Sequence, residues 1–342
     1  MKDCKNKSTY ASKNQQKFSL MSEIATLYYL RDMSQQDIAN TLFLSRPSVS
    51  RLLQQARNDG IVQIEVKYYY EREYYLEEVF KSHFDVKDVR ILRNNKSPGI
   101  KQIHAIGHLA ADVFSEIVKP NMVLGLSWGR YVTATVDALP ENARGPLTIV
   151  QIMGASESDV GDSSKNVSGA QALINKVSNI YGGDIRYLNA PMYVEDDFVC
   201  ESLKRNPMIS STLAMADKLD IVLTGIGIYE GKKAIGDNRQ WYDSIPDEII
   251  HDITAHNATG SLCGQFFGHN GDPVQSKWSN HCIGINLEQI RKVPEVIAVA
   301  AGEKKAEAIR DALKGKYITT LVTDFDTASA VIRLENQELR KR

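Results

Sequence analysis

The stretch MSQQDIANTLFLSRPSVSRLLQQARNDGIV, residues 33–62, decides the fold of the N-terminal part of the chain. Ser34 and Ser45 stand where helix N-caps are expected, one ahead of each half of the stretch. Pro47 fits the first turn of the second helix, where no intrahelical N–H bond is lost. Gly60 stands where a left-handed C-cap would end that helix. The stretch therefore predicts two short helices joined by a tight turn.

The apolar residues of both halves recur at helical spacing. They are Ile38, Ala39 and Leu42 in the first helix, and Val49, Leu52, Leu53 and Ala56 in the second. Because Ala39 is small, the second helix can cross closely over the first. Phe43 stands where such turns often have Gly, so a residue with a side chain must make the turn. Residues 61–66 then alternate like a strand, which predicts a helix-turn-helix followed by a short wing.

The remaining face of the second helix carries hydroxyls, amides and guanidiniums, including that of Arg57. Such groups can hydrogen-bond base edges in a major groove or the phosphates beside it. The alternative is an ordinary solvated pair of helices. We predict that this head binds operator double-stranded DNA. The predicted DNA-binding residues are Ser34, Gln35, Gln36, Ser45, Arg46, Ser48, Ser50, Arg51, Gln54 and Gln55.

The charge distribution supports a DNA-binding head on a different kind of body. Residues 1–60 hold nine Lys/Arg and five Asp/Glu, a net +4, whereas the whole chain of 342 residues is −1. The cysteines, Cys4, Cys200, Cys263 and Cys282, form no CxxC pair and no metal-ligand spacing. We therefore expect free thiols in a reducing cytoplasm, with no metal and no cofactor.

The organisation of the chain follows from its apolar patterns. Residues 1–17 are polar and predict a disordered arm without a secretory signal, and no apolar run is long enough for a membrane span. Residues 18–31 predict a helix that braces the head, which covers residues 18–66. Residues 67–85 are rich in tyrosine and predict a linker helix that either packs on the second domain or sets the spacing of a dimer.

Residues 86–342 alternate apolar strands with amphipathic helices, which predicts an α/β fold with a doubly wound, mostly parallel sheet. The predicted strands are residues 89–92, 122–126, 147–152, 184–188, 221–225, 261–267, 282–286, 296–300 and 318–322. The predicted helices are residues 101–118, 163–181, 195–204, 207–218, 246–256, 304–313 and 327–340. Strands 261–267 and 282–286 lie close in sequence and are candidates for an antiparallel pair.

Ligands of open parallel sheets bind beyond the carboxyl ends of the strands. The turn from Ser127 to Arg130 follows one strand and would place backbone N–H groups and a guanidinium at a helix N-terminus, which favours an anion. The alternative is a tight turn with Trp128 in the core. Gly154 and Ala155 would border the same cleft, and Lys304 or Lys305 enters from the start of a later helix.

Catalytic motifs are missing from the sequence. It contains no HExxH, no GxSxG and no P-loop, and the Gly-x-Gly at Gly225 and Gly227 lacks the third glycine of a dinucleotide site. We predict no catalytic residue. The alternative, a sugar-phosphate isomerase or deaminase with an accessory head, would need a carboxylate or histidine as proton shuttle, for which Asp324, Asp326 and Glu157 are candidates.

Several stretches resemble the SorC family of bacterial sugar-binding transcriptional regulators. They are ATLYYLRDMSQQDIANTLFLSRPSVSRLLQQARNDGIV in the head, and GLSWGR, TGIG, GQFF, HNGDPV and VAAGEKKAEAIRDALKGKYITTLVTD in the body. The resemblance covers nearly the whole chain after residue 18. It implies a body like ribose-5-phosphate isomerase and glucosamine-6-phosphate deaminase. It also implies dimers that assemble into tetramers, with a phosphorylated sugar or related metabolite as effector.

The resemblance also implies the residues that contact the effector. The GLSWGR turn would do so, together with Lys305 rather than Lys304, because the lysine of the family precedes an Ala-Ile by three residues. The predicted effector-binding residues are Gly125, Ser127, Trp128, Gly129, Arg130, Gly154, Ala155, Gly225, Gly227 and Lys305. The sequence departs from the family at Tyr131, where a small hydroxyl residue is expected, and at Ala301, which replaces a common glycine.

Overall fold

The computed structural model divides the chain into two compact units, Met1–Tyr69 and Tyr70–Arg342, which we call the head and the body. It describes residues 2–62, 70–93, 99–140, 145–155, 169–229 and 245–340, with side chains from residue 16 onward. None of the helices in these ranges is long and apolar enough to cross a membrane.

The head consists of three helices around a small apolar core. They are α1 (Lys2–Tyr29), α2 (Gln35–Thr41) and α3 (Arg46–Asn58). The buried side chains of the core are Ile24, Ile38, Ala39, Val49 and Leu53. Both predicted caps form, because the backbone N–H of Asp37 donates to Ser34 Oγ at 3.1 Å and that of Ser48 donates to Ser45 Oγ at 3.3 Å. The predicted helix-turn-helix is therefore confirmed.

The first helix differs from its prediction. It begins at Lys2, so the disordered arm expected for residues 1–17 and the helix start at residue 18 are wrong. Residues 2–29 contain no Gly and no Pro, so nothing in the sequence interrupts the helical backbone. The wing stays a prediction, because residues 63–66 lie outside the described residues.

A seven-stranded parallel sheet forms the centre of the body. In chain order its strands are β1 (Asp88–Leu92), β2 (Val123–Leu126), β3 (Leu147–Gln151), β4 (Gly183–Arg186), β5 (Ile221–Thr224), β9 (Glu295–Val299) and β10 (Thr320–Asp324). Their spatial order is β1-β10-β9-β5-β2-β3-β4, and all neighbours are parallel. Successive residues such as Val222 and Leu223 enter different apolar clusters, so the sheet is buried on both faces. The α/β, doubly wound fold is confirmed.

The body also contains α-helices, several of which pack on the two faces of the sheet. They are α4 (Tyr74–His83), α5 (Ile100–Ile117), α6 (Arg130–Asp137), α7 (Ala170–Tyr181), α8 (Asp197–Arg205), α9 (Pro207–Leu213), α10 (Asp247–Ala255), α11 (Lys277–His281), α12 (Leu287–Lys292), α13 (Ala306–Lys314) and α14 (Phe325–Leu339). The predicted helix over residues 207–218 changes to a 3₁₀ turn at Ala214–Lys218. Residues 163–168 of another predicted helix lie outside the described residues.

A three-stranded antiparallel sheet replaces one predicted strand pair. Its strands are β6 (Gly227–Ile228), β7 (Ala258–Leu262) and β8 (Gln265–Gly268). The prediction of one strand over residues 261–267 is wrong because Cys263 (φ 49°) and Gly264 (φ 78°) adopt left-handed conformations that reverse the chain. The strand predicted for residues 282–286 is also wrong, since Cys282 and Gly284 make only isolated bridges.

The tyrosine-rich segment belongs to the body from Tyr70 onward, while residues 67–69 lie outside the described residues. In α4, Phe80 is buried in the body core, and buried Glu77 accepts hydrogen bonds from Arg72 Nε at 3.0 Å and Nη2 at 2.6 Å. Packing on the second domain, one of the two interpretations of this helix, is thus what the structure shows. Its part in dimer spacing stays a prediction.

Replacing Phe43 should stabilise the head. Phe43 has φ 54° and is 95% exposed, so it carries a left-handed penalty without packing that would offset it. Since a left-handed side chain costs about 1–2 kcal/mol and glycine loses about 0.5–1 kcal/mol of backbone entropy, Phe43→Gly should gain about 1 kcal/mol. Native-state hydrogen exchange of α2 and α3 measures this. Phe43→Ala keeps the strain, and an equal gain in that variant would refute the explanation.

Candidate functional site

The exposed face of α3 presents most of the residues predicted to contact DNA. Arg46, Ser50, Arg51 and Gln54 are exposed, and Ser48 and Gln55 are partly buried. The amide of Gln55 donates to Asp59 Oδ2 at 3.2 Å. This face is free of apolar side chains except Pro47, so it offers hydrogen-bond donors and positive charge to a groove.

Other residues in the predicted DNA-binding set have structural contacts. Ser34 Oγ donates to Asp37 Oδ2 at 2.6 Å, and Ser45 Oγ lies 2.8 Å from Ser48 Oγ. Gln36, which precedes the core of α2, donates to Asn40 at 3.2 Å, and Gln35 is partly buried. Ser34 caps α2, Ser45 caps α3 and Gln36 makes a surface bond within α2, so a contact with phosphate would be an addition to those roles.

Arg57 is exposed, but its guanidinium is bonded to another helix of the head. Its Nε donates to the hydroxyl of Tyr29 at 2.7 Å, and its guanidinium lies 5.7 Å from the centroid of the same ring. This contact joins the end of α3 to the end of α1. We therefore expect Arg57 to contribute more to the stability of the head than to reading bases.

A small, half-open cleft of about 100 Å³ lies at the carboxyl ends of the central strands. Its lining comes from turns that follow β2, β3, β5 and β9, and from the hairpin turn between β7 and β8. The lining residues are Ser127, Trp128, Gly129, Arg130, Tyr131, Met153, Thr224, Gly225, Ile226, Gly227, Ser261, Cys263, Gly264, Val299 and Lys305. The parallel sheet thus brings together turns that are distant in sequence.

The turn after β2 has a glycine where a side chain would cover its backbone. Gly129 is the N-cap of α6 with φ 143°, a conformation that a side chain rarely adopts. Ser127 is buried, and its Oγ donates to Thr224 Oγ1 at 3.0 Å, which lies 3.4 Å from Cys263 Sγ. This chain of polar contacts ties the turn to β5 and to the hairpin. Burial raises the pKa of the Cys263 thiol to about 12, so it stays protonated.

Lys305 is a partly buried cation that lines the cleft. Its ammonium donates to the carbonyl oxygen of Ile226 at 2.8 Å and lies 5.8 Å from the ring centroid of Tyr131. Burial, together with the charge of Arg130, lowers the pKa of Lys305 to about 8. Burial also lowers the pKa of Arg130. Two cations share one end of the cleft, and no Asp or Glu lines it among the described residues, so this end favours an anion.

Tyr131 occupies the position where a small hydroxyl residue was expected. Its hydroxyl donates to the carbonyl oxygen of Ala301 at 3.4 Å, and burial raises its pKa to about 12. The ring therefore closes one side of the anion end and connects the turn after β2 with the turn after β9. This bulk limits the space beside Lys305.

The structure places seven of the ten predicted effector-binding residues at the cleft. They are Ser127, Trp128, Gly129, Arg130, Gly225, Gly227 and Lys305. Trp128 also packs on two apolar clusters, so it serves the core as well as the lining. The expected cleft turn is therefore in place, whereas its binding of an effector stays a proposal.

Gly125, Gly154 and Ala155 do not line the cleft. A Cβ on Gly125 would lie 2.8 Å from a methyl group of Ile152, so this glycine serves packing on the sheet. A Cβ on Gly154 would lie 2.6 Å from the backbone of Pro191, which also pairs with Ala155. Met153 is the residue of this turn that lines the cleft.

Sequence reasoning missed the contribution of the hairpin turn to the cleft. Ser261, Cys263 and Gly264 come from or near it. The available signal was Gly264 between two short apolar runs, since glycine readily adopts the positive φ that a tight hairpin turn requires. The other missed lining residues are Tyr131, Met153, Thr224, Ile226 and Val299.

One cluster outside the cleft has ligand types suited to a metal. Ligand atoms of His269, Glu307 and Asp311 all lie within 4.8 Å of one another. However, Arg310 Nη2 lies 3.0 Å from His269 Nδ1 and 2.8 Å from Asp311 Oδ1. The guanidinium already occupies these atoms, so the cluster is a partly exposed ion-pair network.

The carboxylate of Asp324, a candidate proton shuttle of an enzyme, is also occupied. Its Oδ1 accepts the backbone N–H of Thr327 at 2.7 Å, and its Oδ2 accepts the amide of Gln102 at 2.9 Å. Asp326 does not line the cleft, and Glu157 lies outside the described residues. The described part of the cleft thus contains binding groups but no carboxylate for proton transfer.

Residues 68–333 match the Sugar-bind family of sugar-binding domains. The chain belongs to the SorC family of sugar-binding transcriptional regulators. It is 29% identical over 325 residues to the sorbitol operon regulator of Klebsiella pneumoniae, covering 94% of this chain and 99% of that protein. It is 28% identical to the deoxyribonucleoside regulator of Bacillus subtilis, covering 93% and 99%.

A solved structure of the SorC family has the same architecture. The full-length sorbitol operon regulator SorC from Klebsiella pneumoniae matches with a TM-score of 0.70 and 28% identity, over 92% of this chain and 98% of that one. The match includes both head and body. Both relatives are named as regulators, and one of them as the regulator of an operon.

Ligand affinity should depend on the charge of Lys305. Because its pKa is lowered to about 8, it is mostly charged at pH 7 and mostly neutral at pH 9. A phosphate ester stabilises the charged lysine, so above the pKa binding must take up a proton. Affinity should then fall by up to about tenfold per pH unit. Titrations between pH 7 and 9 measure this, since the phosphate stays dianionic. Lys305→Arg stays charged and should give a flat profile; the same slope in both proteins would exclude Lys305 as its source.

Proposed function

We propose that the chain is a DNA-binding transcriptional regulator of a carbohydrate-utilisation operon, controlled by a phosphorylated sugar or polyol. The observation that carries the proposal is the pairing of Arg130 and Lys305 at one end of the cleft, beside the start of α6. A phosphate is the anionic group of sugar metabolites that such an end would hold. The uncharged remainder of the cleft, which includes Ser261, Cys263 and Met153, would receive the carbon chain.

The two relatives support the carbohydrate class, since one is named for sorbitol and the other for deoxyribonucleosides. We further propose that the protein acts in the cytoplasm as a dimer or tetramer, because two heads would then read two half-sites. Effector binding would change operator affinity by favouring one of two arrangements of the heads. Activation and repression are equally compatible with this scheme.

A thermal-shift screen against paired free and phosphorylated pentoses, hexoses and polyols tests the proposal. A phosphorylated compound at one hundred times its Kd should stabilise the protein by about 2.7 kcal/mol, while its free partner should have little effect. Lys305→Met should remove the shift, because it keeps the chain length of the side chain without the charge.

Two results of the screen would contradict the proposal. A shift with free sugars only would rule out the anion site while keeping a sugar-controlled regulator. If none of the compounds stabilises the protein, a DNA-binding protein whose body only oligomerises would be favoured. Turnover of an aldose or amino-sugar phosphate would instead support an isomerase or deaminase.

The arginines of α3 should contribute to operator binding. Arg51 is exposed on the face opposite the core of the head, and Arg51→Ala should weaken binding by about 1–3 kcal/mol if this side chain reads a base. The measurement is the affinity for a fragment that the wild-type protein selects from genomic DNA. Arg31→Ala, which removes the same charge outside α3, is the matched control. Equal losses in both variants, on selected and unrelated DNA alike, would assign only a charge effect to Arg51.

A further inference from the structure

The turn that carries Lys305 is fixed by one buried hydroxyl. This turn begins at Gly302, whose φ is 114°, and the backbone N–H of Lys305 donates to the carbonyl oxygen of Gly302 at 2.8 Å. The backbone N–H of Gly302 donates to Thr327 Oγ1 at 2.7 Å. Thr327 is fully buried in the first turn of α14. Its hydroxyl therefore holds the turn from the side away from the cleft.

The same threonine is held by the last residue of β10. The backbone N–H of Thr327 donates to Asp324 Oδ1 at 2.7 Å, which caps α14. The other carboxylate oxygen of Asp324 accepts the amide of Gln102 from the first turn of α5 at 2.9 Å. Asp324 is 5% exposed, so these bonds are protected from competition by water.

Strand β10 leads from this cluster to the first residues of the body. Asp324 is paired in register with Leu92 of β1, and Leu92 makes an antiparallel bridge with Arg72. Residues 71–73, which we call the edge segment, form an isolated bridge with β1, where Glu73 N donates to the Ile91 carbonyl at 2.9 Å and Arg93 N to the Glu71 carbonyl at 2.8 Å. These residues follow directly on the segment that joins the body to the head.

We propose that Thr327 is the positioning residue of Lys305, and that it links the anion end of the cleft to the edge segment, residues 71–73, through Asp324. The inference rests on the anion site of the proposed function. The ammonium of Lys305 donates to the Ile226 carbonyl, and an arriving anion competes for this bond. When the bond to Ile226 is weakened, the position of the turn depends on the bond from Gly302 N–H to the hydroxyl of Thr327.

Three variants separate positioning from general stability. Thr327→Val removes the hydroxyl at nearly constant volume, and Thr327→Ser restores it. Thr323→Val is the matched control, because Thr323 is fully buried on β10 next to Asp324 and its Oγ1 has no partner among the described residues. A loss of exchange protection or of phosphate affinity that is caused only by altered packing would appear in both valine variants.

Hydrogen exchange of the full-length protein with inorganic phosphate tests the link without a known effector or operator. Some backbone amides exchange only when the structure around them opens and the anion dissociates. At a phosphate concentration of ten times its Kd, the exchange of these amides should slow by about tenfold. We expect this protection in the wild type over residues 127–131 and 302–306, and also over residues 71–73 and 88–92. Thr327→Val should lose the protection of the second pair of segments and bind phosphate more weakly. Thr327→Ser and Thr323→Val should resemble the wild type.

The other outcomes overturn the inference in distinguishable ways. Wild-type protection confined to the cleft segments would refute the link to the edge segment and leave the anion site intact. Equal effects in Thr327→Val and Thr323→Val would refute a positioning role for the hydroxyl. No phosphate protection at residues 127–131 would refute the anion site itself, and the inference would fall with it.

Discussion

The parallel alignment of the strands in the body is the constraint on which the rest of the structure depends. Parallel strands end at a common edge, so the turns after β2, β5 and β9 meet there although they are far apart in sequence. The helices that connect these strands bury the sheet on both faces. What remains open at the edge is backbone with a few side chains, and this is where the cleft forms.

The polarity of the cleft follows from what surrounds it. Burying a cation is costly unless a polar partner accepts it, and Lys305 meets this requirement through a carbonyl and an aromatic ring. Arg130 raises the cost further because it carries the same charge at the same end. The free protein therefore holds an electrostatic imbalance that a bound anion would relieve.

Much of this arrangement could be predicted from the sequence because it depends on local rules. Caps at Ser34 and Ser45, and the alternation of strands and helices, depend on short patterns, and the turn at Ser127 follows from them together with the carboxyl-end rule. Contacts between irregular segments could not be predicted in this way. Gly154 has no side chain because the backbone of Pro191 approaches it, which no spacing in the sequence reveals. The hairpin turn depends on the left-handed conformation of Cys263, whereas the apolar pattern of residues 261–267 predicted one continuous strand.

The position of Trp128 makes the intrinsic fluorescence of the protein sensitive to the cleft. The sequence has three tryptophans, at positions 128, 241 and 278, and the head has none. Trp128 lines the cleft, whereas Trp278 is buried in the apolar cluster beside the hairpin. Indole emission therefore originates only from the body, so unfolding of the body can be followed separately from the tyrosine signal of the head. A ligand that enters the cleft changes the surroundings of one of these emitters directly, without any attached dye.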